Sequence, residues 1–245
     1  MNLCYNYDGD IMGKDNLKYY TYELDIGVLN ILAILLFLVL FLLMYLLGYD
    51  LAKLFLVGDI VVILVLLVFW LMLHEVLHGI GFSIFKSVDR KNVVYGMALE
   101  KGVFYCMCKQ KIRKNVIFAA LLFPLIIIGV ITLIIGCIIN SYLLMLLSIL
   151  NIMGSIGDIM MSIYFYKCPD DVIYLDLDDC TSFTVLSKKD LSGIKVMGIK
   201  LKENGIYNNE MVPKIKDKLV ISRKSWYVLI VIFILMLIKV IGGVL

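Results

Sequence analysis

The chain contains two histidines, and both belong to one short motif. His74, Glu75 and His78 form the pattern His-Glu-x-x-His inside an apolar stretch. On a helix, residues i and i+4 lie on the same face, so both imidazoles can bind a single metal ion. Glu75 lies further round the helix, where a carboxylate can hydrogen-bond a water at the metal and act as a general base. The motif predicts a zinc (Zn²⁺) site with His74 and His78 as ligands and Glu75 as the catalytic residue.

A catalytic zinc site takes three protein ligands, so one more must come from another part of the chain. Acidic residues inside apolar stretches are the first candidates, because a charge deep in a bilayer costs at least about 2.5–3.5 kcal/mol. Within the apolar stretches of this chain, only Glu75 and Asp158 are acidic. We therefore expect Asp158 to be the third metal ligand, with Glu100, Cys106 and Cys108 as the alternatives.

The residues that precede Asp158 form a second polar pattern. Asn151, Ser155 and Asp158 stand at i, i+4 and i+7, so they share one face of a helix. We assign Asn151 on this face to substrate binding. Gly154 and Gly157 lie beside the face and predict a close approach to another helix.

Composition indicates that membrane helices carry these residues. The 245 residues are 62% hydrophobic and 18% charged, with a mean hydropathy of +0.97. Soluble domains are about 45–50% apolar, so a soluble globular domain is excluded. The net charge of +3 is too small to indicate a nucleic-acid partner, and six cysteines are too sparse for a disulfide scaffold. Five apolar stretches reach the roughly 20 residues that cross a bilayer, at 27–48, 60–85, 116–139, 142–166 and 226–244.

These stretches predict an all-α polytopic membrane protein with about five transmembrane helices. Two smaller features accompany the helices, a β-hairpin between helices 2 and 3 and a small cytosolic segment before helix 5. The predicted units are an N-terminal cytosolic segment at 1–26, a membrane metalloprotease-like core at 27–166, a cytosolic segment at 167–225 and a last helix at 226–245.

Short β-prone runs occur outside the helices. The runs at 93–98 and 103–108 predict the hairpin, within residues 88–110. Further β-prone stretches lie near 181–187 and 195–201. Tyr19, Tyr20 and Tyr22 precede the first helix, and we interpret them as part of an interfacial aromatic belt.

The basic residues predict the orientation of the chain in the membrane. Of the 23 Lys and Arg residues, 21 lie in 1–26, 86–115 and 167–225, whereas the loops on the opposite side hold one. Cytoplasmic loops carry an excess of Lys and Arg. We therefore expect a cytoplasmic N-terminus and an external C-terminus.

The chain resembles a bacterial family of multi-pass membrane proteins described as "putative zincin peptidase". The resemblance rests on His74-Glu75-Val-Leu-His78-Gly79, on the hairpin sequence that leads to Phe123-Pro124, and on Asn151-x-x-Gly-Ser-x-Gly-Asp158. It implies a membrane-embedded metal site distantly like that of site-2 proteases, in which a carboxylate on a later helix completes the zinc site. It also implies that the protein resides in the bacterial cytoplasmic (inner) membrane.

The leading interpretation is a zinc-dependent intramembrane peptidase that hydrolyses a peptide bond within or near the bilayer. Its partners are the lipid bilayer and a membrane-associated protein or peptide substrate, with no nucleic acid. The first alternative is a non-enzymatic membrane protein with an immunity, transport-accessory or metal-sensing role that retains the zinc site. A weaker alternative is a hydrolase that acts on a lipid. The motif side chains can also be interpreted as groups that only hydrogen-bond between helices.

Overall fold

The computed structural model describes residues 17–55, 60–98, 103–176, 182–207, 219–220 and 231. In these ranges the chain forms seven α-helices and eight strands. A π-helical segment, Leu125–Ile131, joins two of the helices into one continuous span. The helices are α1 Ile26–Leu46, α2 Leu51–Phe55, α3 Ile60–Ser83, α4 Lys114–Pro124, α5 Thr132–Ile138, α6 Tyr142–Gly154 and α7 Ile156–Lys167.

Among the described residues, three helices are long and apolar enough to cross a membrane: Ile26–Leu46, Ile63–Ser83 and Lys114–Ile138. Helices α6 and α7 meet at a bend of 48° and add a fourth span if the pair is counted as one. The predicted fifth span, at 226–244, falls almost wholly outside the described residues. The all-α prediction with about five transmembrane helices is wrong, because the described residues contain three candidate spans, or four with the bent pair, together with two β-sheets.

The bend between α6 and α7 has a local cause. Gly154 is the last residue of α6. At the bend, the hydroxyl of Ser155 donates a hydrogen bond to the carbonyl oxygen of Asn151, with 2.8 Å between the two oxygens. Glycine has a low helix propensity, and a serine that bonds back to the i−4 carbonyl often bends a helix. The bend lies between Asn151 and Asp158, so it sets the relative direction of these two side chains.

Both sheets are antiparallel and combine segments that are distant in the sequence. The larger has the strand order β4-β5-β6-β1-β7 and the smaller has the order β3-β2-β8. The hairpin predicted at 93–98 and 103–108 is present as β2 and β3. The strands are β1 Lys18–Leu24, β2 Val93–Ala98, β3 Val103–Cys108, β4 Ile112–Arg113, β5 Ile173–Leu175, β6 Ser182–Ser187, β7 Ile199–Ile206 and β8 Leu219–Val220.

Strand β1 lies in the interior of the larger sheet, between β6 and β7. The side chains of Tyr20 and Tyr22 are therefore buried, at 1% and 2% exposure, and they are not part of an interfacial belt. Thr21 and Thr184 face each other across β1 and β6, and their hydroxyl oxygens are 2.9 Å apart. Within the predicted N-terminal segment 1–26, the strand Lys18–Leu24 is thus part of a folded sheet, and residues 1–16 lie outside the described residues.

An aromatic cluster attaches this sheet to the end of α7. Tyr164 on α7 packs against Tyr22 and Phe183, with ring centroids 4.6 and 5.3 Å apart. Such pairs are worth about 0.5–1.5 kcal/mol each beyond the area that they bury. Lys114 at the start of α4 adds a polar connection, because its ammonium donates to the Cys168 carbonyl at 2.6 Å. These contacts therefore hold the N-terminal end of α4 and the C-terminal end of α7 together beside the larger sheet.

Close helix packing occurs at glycines other than the two that the sequence suggests. A Cβ at Gly81 on α3 would lie 2.8 Å from the Cα of Ala120, so α3 and α4 approach closely there. Gly129 gives a similar approach to Ile152 on α6. Among the described residues, no atom lies within 4 Å of a Cβ at Gly154 or Gly157, so the predicted close approach at these two positions is wrong.

Candidate metal centre

Three potential metal ligands from α3 and α7 converge at one point. Nε2 of His74 lies 3.0 Å from Nε2 of His78 and 3.2 Å from Oδ2 of Asp158. The third side of the triangle, from His78 Nε2 to Asp158 Oδ2, is 3.5 Å. Across the part of the chain that the structure describes, this is the one cluster of three or more His, Cys, Asp or Glu residues able to hold a metal ion.

The triangle has the size that zinc requires. Nitrogen and oxygen ligands bind zinc at about 2.0–2.2 Å, so two such ligands in a tetrahedral site lie about 3.3–3.6 Å apart. The three measured separations, 3.0, 3.2 and 3.5 Å, are close to this value. The side chains are shielded but still partly accessible, with 12% exposure for His74, 10% for His78 and 18% for Asp158. Two imidazoles and one carboxylate are also a donor set that suits a catalytic zinc site.

A hydrogen bond to Asn151 sets the tautomer of His74. Nδ1 of His74 lies 2.9 Å from Oδ1 of Asn151 on α6. Because an amide oxygen only accepts hydrogen bonds, Nδ1 carries a proton, and in the neutral imidazole Nε2 is left with its lone pair toward Asp158. Asn151 is 3% exposed, and the amide nitrogen Nδ2 has no hydrogen-bond partner among the described residues. Because the amide contacts Nδ1 while Nε2 faces the other two ligands, Asn151 lies on the side of the imidazole away from the ligand triangle.

A hydrogen bond to a backbone carbonyl sets the tautomer of His78. Nδ1 of His78 lies 2.9 Å from the carbonyl oxygen of Ala120, which can only accept, so in the neutral imidazole Nε2 is again the nitrogen with the lone pair. The close approach of α3 and α4 at Gly81 brings this carbonyl within reach. Histidine ligands of metals commonly donate their second ring N–H to an oxygen in this way, and the bond orients the ring. Both histidines thus have the orientation and tautomer of metal ligands.

Glu75 lies beside the triangle and contacts the hairpin. Its carboxylate accepts a hydrogen bond from the backbone N–H of Cys106 on β3, and it lies near His74, His78 and Asp158. Glu75 is not one of the clustered ligands. A carboxylate next to the ligands but outside the cluster has the position that a general base needs.

The alternative third ligands do not join the cluster. Neither Cys106 nor Cys108 belongs to it, and Glu100 lies outside the described residues. Burial raises the pKa of Cys108 to about 11, so this thiol stays protonated near neutral pH, whereas a metal ligand must be a thiolate. The cluster of candidate ligands therefore consists of His74, His78 and Asp158.

Sequence reasoning missed two backbone groups, the Ala120 carbonyl and the Cys106 N–H. A main-chain group has no residue type that could mark it in the sequence. An indirect signal for Ala120 exists in Gly81, because a small residue on one helix permits a second helix to approach. The alternation of the β2–β3 hairpin gives no signal for which N–H groups face a helix.

Residues 67–173 match the model of a family described as "Putative zincin peptidase". The resemblance to a family of this description is confirmed over this segment, which contains His74, Glu75, His78, Asn151 and Asp158. The family description indicates a zinc metallopeptidase domain. No curated protein and no solved structure matches the chain.

Proposed function

We propose that this protein is a membrane zinc metallopeptidase that hydrolyses a peptide bond within or next to the bilayer. The observation that carries the proposal is the ligand triangle of His74, His78 and Asp158, with edges of 3.0–3.5 Å, beside the Glu75 carboxylate. His74, Glu75 and His78 lie on a helix that suits a membrane, and Asp158 lies on α7, one half of the bent pair that adds a fourth candidate span. A purely structural metal site needs ligands but no additional carboxylate, so the position of Glu75 supports catalysis.

His74, His78 and Asp158 would hold the zinc ion through two Nε2 atoms and one carboxylate oxygen. When bound, zinc is a Lewis acid that polarises a carbonyl oxygen and makes water a better nucleophile near neutral pH. Asn151 and Ala120 keep the two imidazoles in the Nδ1-protonated tautomer, so both rings present a lone pair. The site therefore needs no tautomer change before it binds metal.

Glu75 is the general base of the proposed reaction. Its carboxylate takes a proton from the attacking water and later delivers that proton to the leaving amine. The hydrogen bond from Cys106 holds the carboxylate at the edge of the site without making it a ligand. Proton transfer of this kind contributes about 10²–10⁴ to the rate of an enzyme.

We assign Asn151 to orienting His74. A direct contact of Asn151 with substrate stays a prediction, and it would require reaching past the imidazole ring that separates Asn151 from the ligand triangle. The proposed substrate is a membrane-associated protein or peptide, because the site lies between apolar helices. From the resemblance to a bacterial family of multi-pass membrane proteins, we propose that the protein resides in the bacterial cytoplasmic membrane. The N-terminus would be cytoplasmic and the C-terminus external.

The test is cleavage of a co-expressed single-span membrane protein, measured together with zinc content. We expect Glu75→Gln to retain zinc and to lower the cleavage rate by at least about 10²-fold, because the amide cannot take the proton from water. Asp158→Ala should lose both zinc and cleavage, since it removes a ligand. Wild-type cleavage in Glu75→Gln would contradict the proposed mechanism. Zinc binding without cleavage of any substrate by the wild type would favour the non-enzymatic alternative.

A further inference from the structure

The hairpin approaches α3 with one particular backbone group. In the β2–β3 ladder, Cys106 is directly opposite Tyr95. The N–H groups along an antiparallel strand point alternately toward the partner strand and away from it. The Lys109 N–H donates to the carbonyl of Asn92 at 2.9 Å, so these opposite residues are a hydrogen-bonded pair of the ladder. By alternation the Cys106 N–H points away from β2, and there it reaches the Glu75 carboxylate of α3. This N–H is therefore directed toward α3 rather than into the ladder.

The same hairpin contacts α3 a second time, one helical turn further on. A Cβ at Gly79 would overlap the hydroxyl and the ring of Tyr95, so only glycine fits there without displacing the tyrosine. Gly79 is four residues after Glu75 and lies on the same face of α3. The Tyr95 ring is 3% exposed, so it is buried against this surface.

The two contacts are geometrically linked. Tyr95 and Cys106 are cross-strand partners, so the position of one determines the position of the other. Seating Tyr95 over Gly79 therefore brings the Cys106 N–H to the carboxylate one turn earlier on the helix. A free glutamate side chain samples many rotamers, and a single N–H bond to one oxygen restricts them while leaving the second oxygen available.

We propose that the β2–β3 hairpin is a positioning element for Glu75: Tyr95 seats on Gly79, and the Cys106 N–H thereby holds the Glu75 carboxylate beside the ligand triangle. The inference deepens the proposed function and rests on it for the role of Glu75 as a base. It explains why a glycine, Gly79, directly follows the second histidine of the motif. It also makes the hairpin part of the catalytic apparatus without any hairpin side chain touching the substrate.

The experiment is amide hydrogen exchange at Cys106 in the detergent-solubilised full chain. We expect the Cys106 amide of Glu75→Ala to exchange at least about 10-fold faster than that of the wild type, because a hydrogen bond to a charged group is lost. Glu75→Gln should keep part of the protection, since its amide oxygen still accepts. Gly79→Ala should accelerate exchange as Glu75→Ala does. The matched control is Gly157→Ala, a helical glycine with no described atom within 4 Å of the new Cβ, which should leave exchange unchanged.

Activity provides an independent readout. Gly79→Ala should retain zinc and KM while kcat falls, as expected when the base is misplaced and the ligands are intact. Unchanged Cys106 exchange in Glu75→Ala, or wild-type exchange and kcat in Gly79→Ala, would overturn the inference. Exchange is measured without a substrate. A protein that cleaves nothing but shows the expected exchange pattern would therefore refute only the peptidase proposal, and cleavage with unchanged exchange would refute only the positioning role.

Discussion

Asn151 is the residue whose role the structure changes most. Its amide is buried, belongs to α6, and accepts from Nδ1 of His74 at 2.9 Å. Partners of this kind typically contribute 10–100-fold to metal affinity. We expect Asn151→Ala to weaken zinc binding by about that factor, because the His74 ring loses both its tautomer preference and its orientation.

Zinc competition with a chelating dye would measure the Asn151 effect. Asn151→Asp keeps an acceptor oxygen and should recover most of the affinity. Ser148→Ala is the matched control, since Ser148 is also buried on α6 but pairs with Thr132 at 2.6 Å. If Asn151→Ala binds zinc as tightly as the control, the amide has no role in orienting the ligand.

At this scale the sequence predicted the candidate ligands well and their supports poorly. His74, His78 and Asp158 were recognisable because ionisable side chains are rare in apolar helices, and the structure brings them together. The groups that orient the two imidazoles are the Asn151 amide, which the sequence assigns to substrate, and the Ala120 carbonyl, while the Cys106 N–H contacts Glu75. Their role depends on which helix faces lie side by side, and that is a property of tertiary packing.

At the scale of elements, the crossing of α3 and α4 controls the second histidine. The two helices approach at Gly81 and Ala120, and the Ala120 carbonyl accepts from His78. Replacing an exposed helical glycine with alanine usually stabilises the helix by about 1 kcal/mol. Here we expect Gly81→Ala to lower the free energy of unfolding by about 1–3 kcal/mol, because the new methyl group overpacks the contact between α3 and α4.

Thermal unfolding and zinc affinity together would test the Gly81 prediction. We expect the unfolding temperature and the zinc affinity of Gly81→Ala both to fall, because separating the helices lengthens the hydrogen bond from His78 to the Ala120 carbonyl. Gly154→Ala serves as the comparison, since the added methyl group there meets no described atom within 4 Å. A rise in stability for Gly81→Ala with unchanged zinc affinity would contradict the prediction, because it would show that the methyl group fits between α3 and α4.

The helices and the hairpin could be predicted from local pattern. In the larger sheet, the β-prone stretches near 181–187 and 195–201 overlap β6 and β7, but the pairing of its strands could not be predicted. Apolar length located α1 and α3 within a few residues, and β-prone runs located β2 and β3. The larger sheet combines strands of two to eight residues from distant segments, and β1 is almost entirely made of polar and aromatic residues. Its pairing depends on long-range contacts that no local periodicity encodes. The bend at Ser155 was hidden because apolar residues continue on both sides of it.

For the whole molecule, the larger sheet joins the segment before α1 to the segment after α7. The Lys and Arg distribution predicted that these two segments share a side of the membrane, and the pairing of β1 with β6 and β7 puts them in one sheet. We expect the double variant Thr21→Cys/Thr184→Cys to form a disulfide under mild oxidation, because the two hydroxyl oxygens are 2.9 Å apart in a cross-strand pair.

Mass spectrometry of the oxidised and digested protein would identify this disulfide among the six native cysteines. The control pair is Thr21→Cys with Val185→Cys, because consecutive residues of β6 point to opposite faces of the sheet. Crosslinking of the control pair at the same yield, or of neither pair, would contradict the position of β1 in the sheet.

The central claim is that His74, His78 and Asp158 form one zinc site, and metal analysis of the purified full-length protein tests it most directly. Purified without chelator, the wild type should contain about one zinc per chain, as expected of a site with three protein ligands. His74→Ala, His78→Ala and Asp158→Ala should each lose that zinc, and Glu75→Gln should keep it. A wild-type protein without transition metal, or an Asp158→Ala variant with full zinc content, would contradict the account.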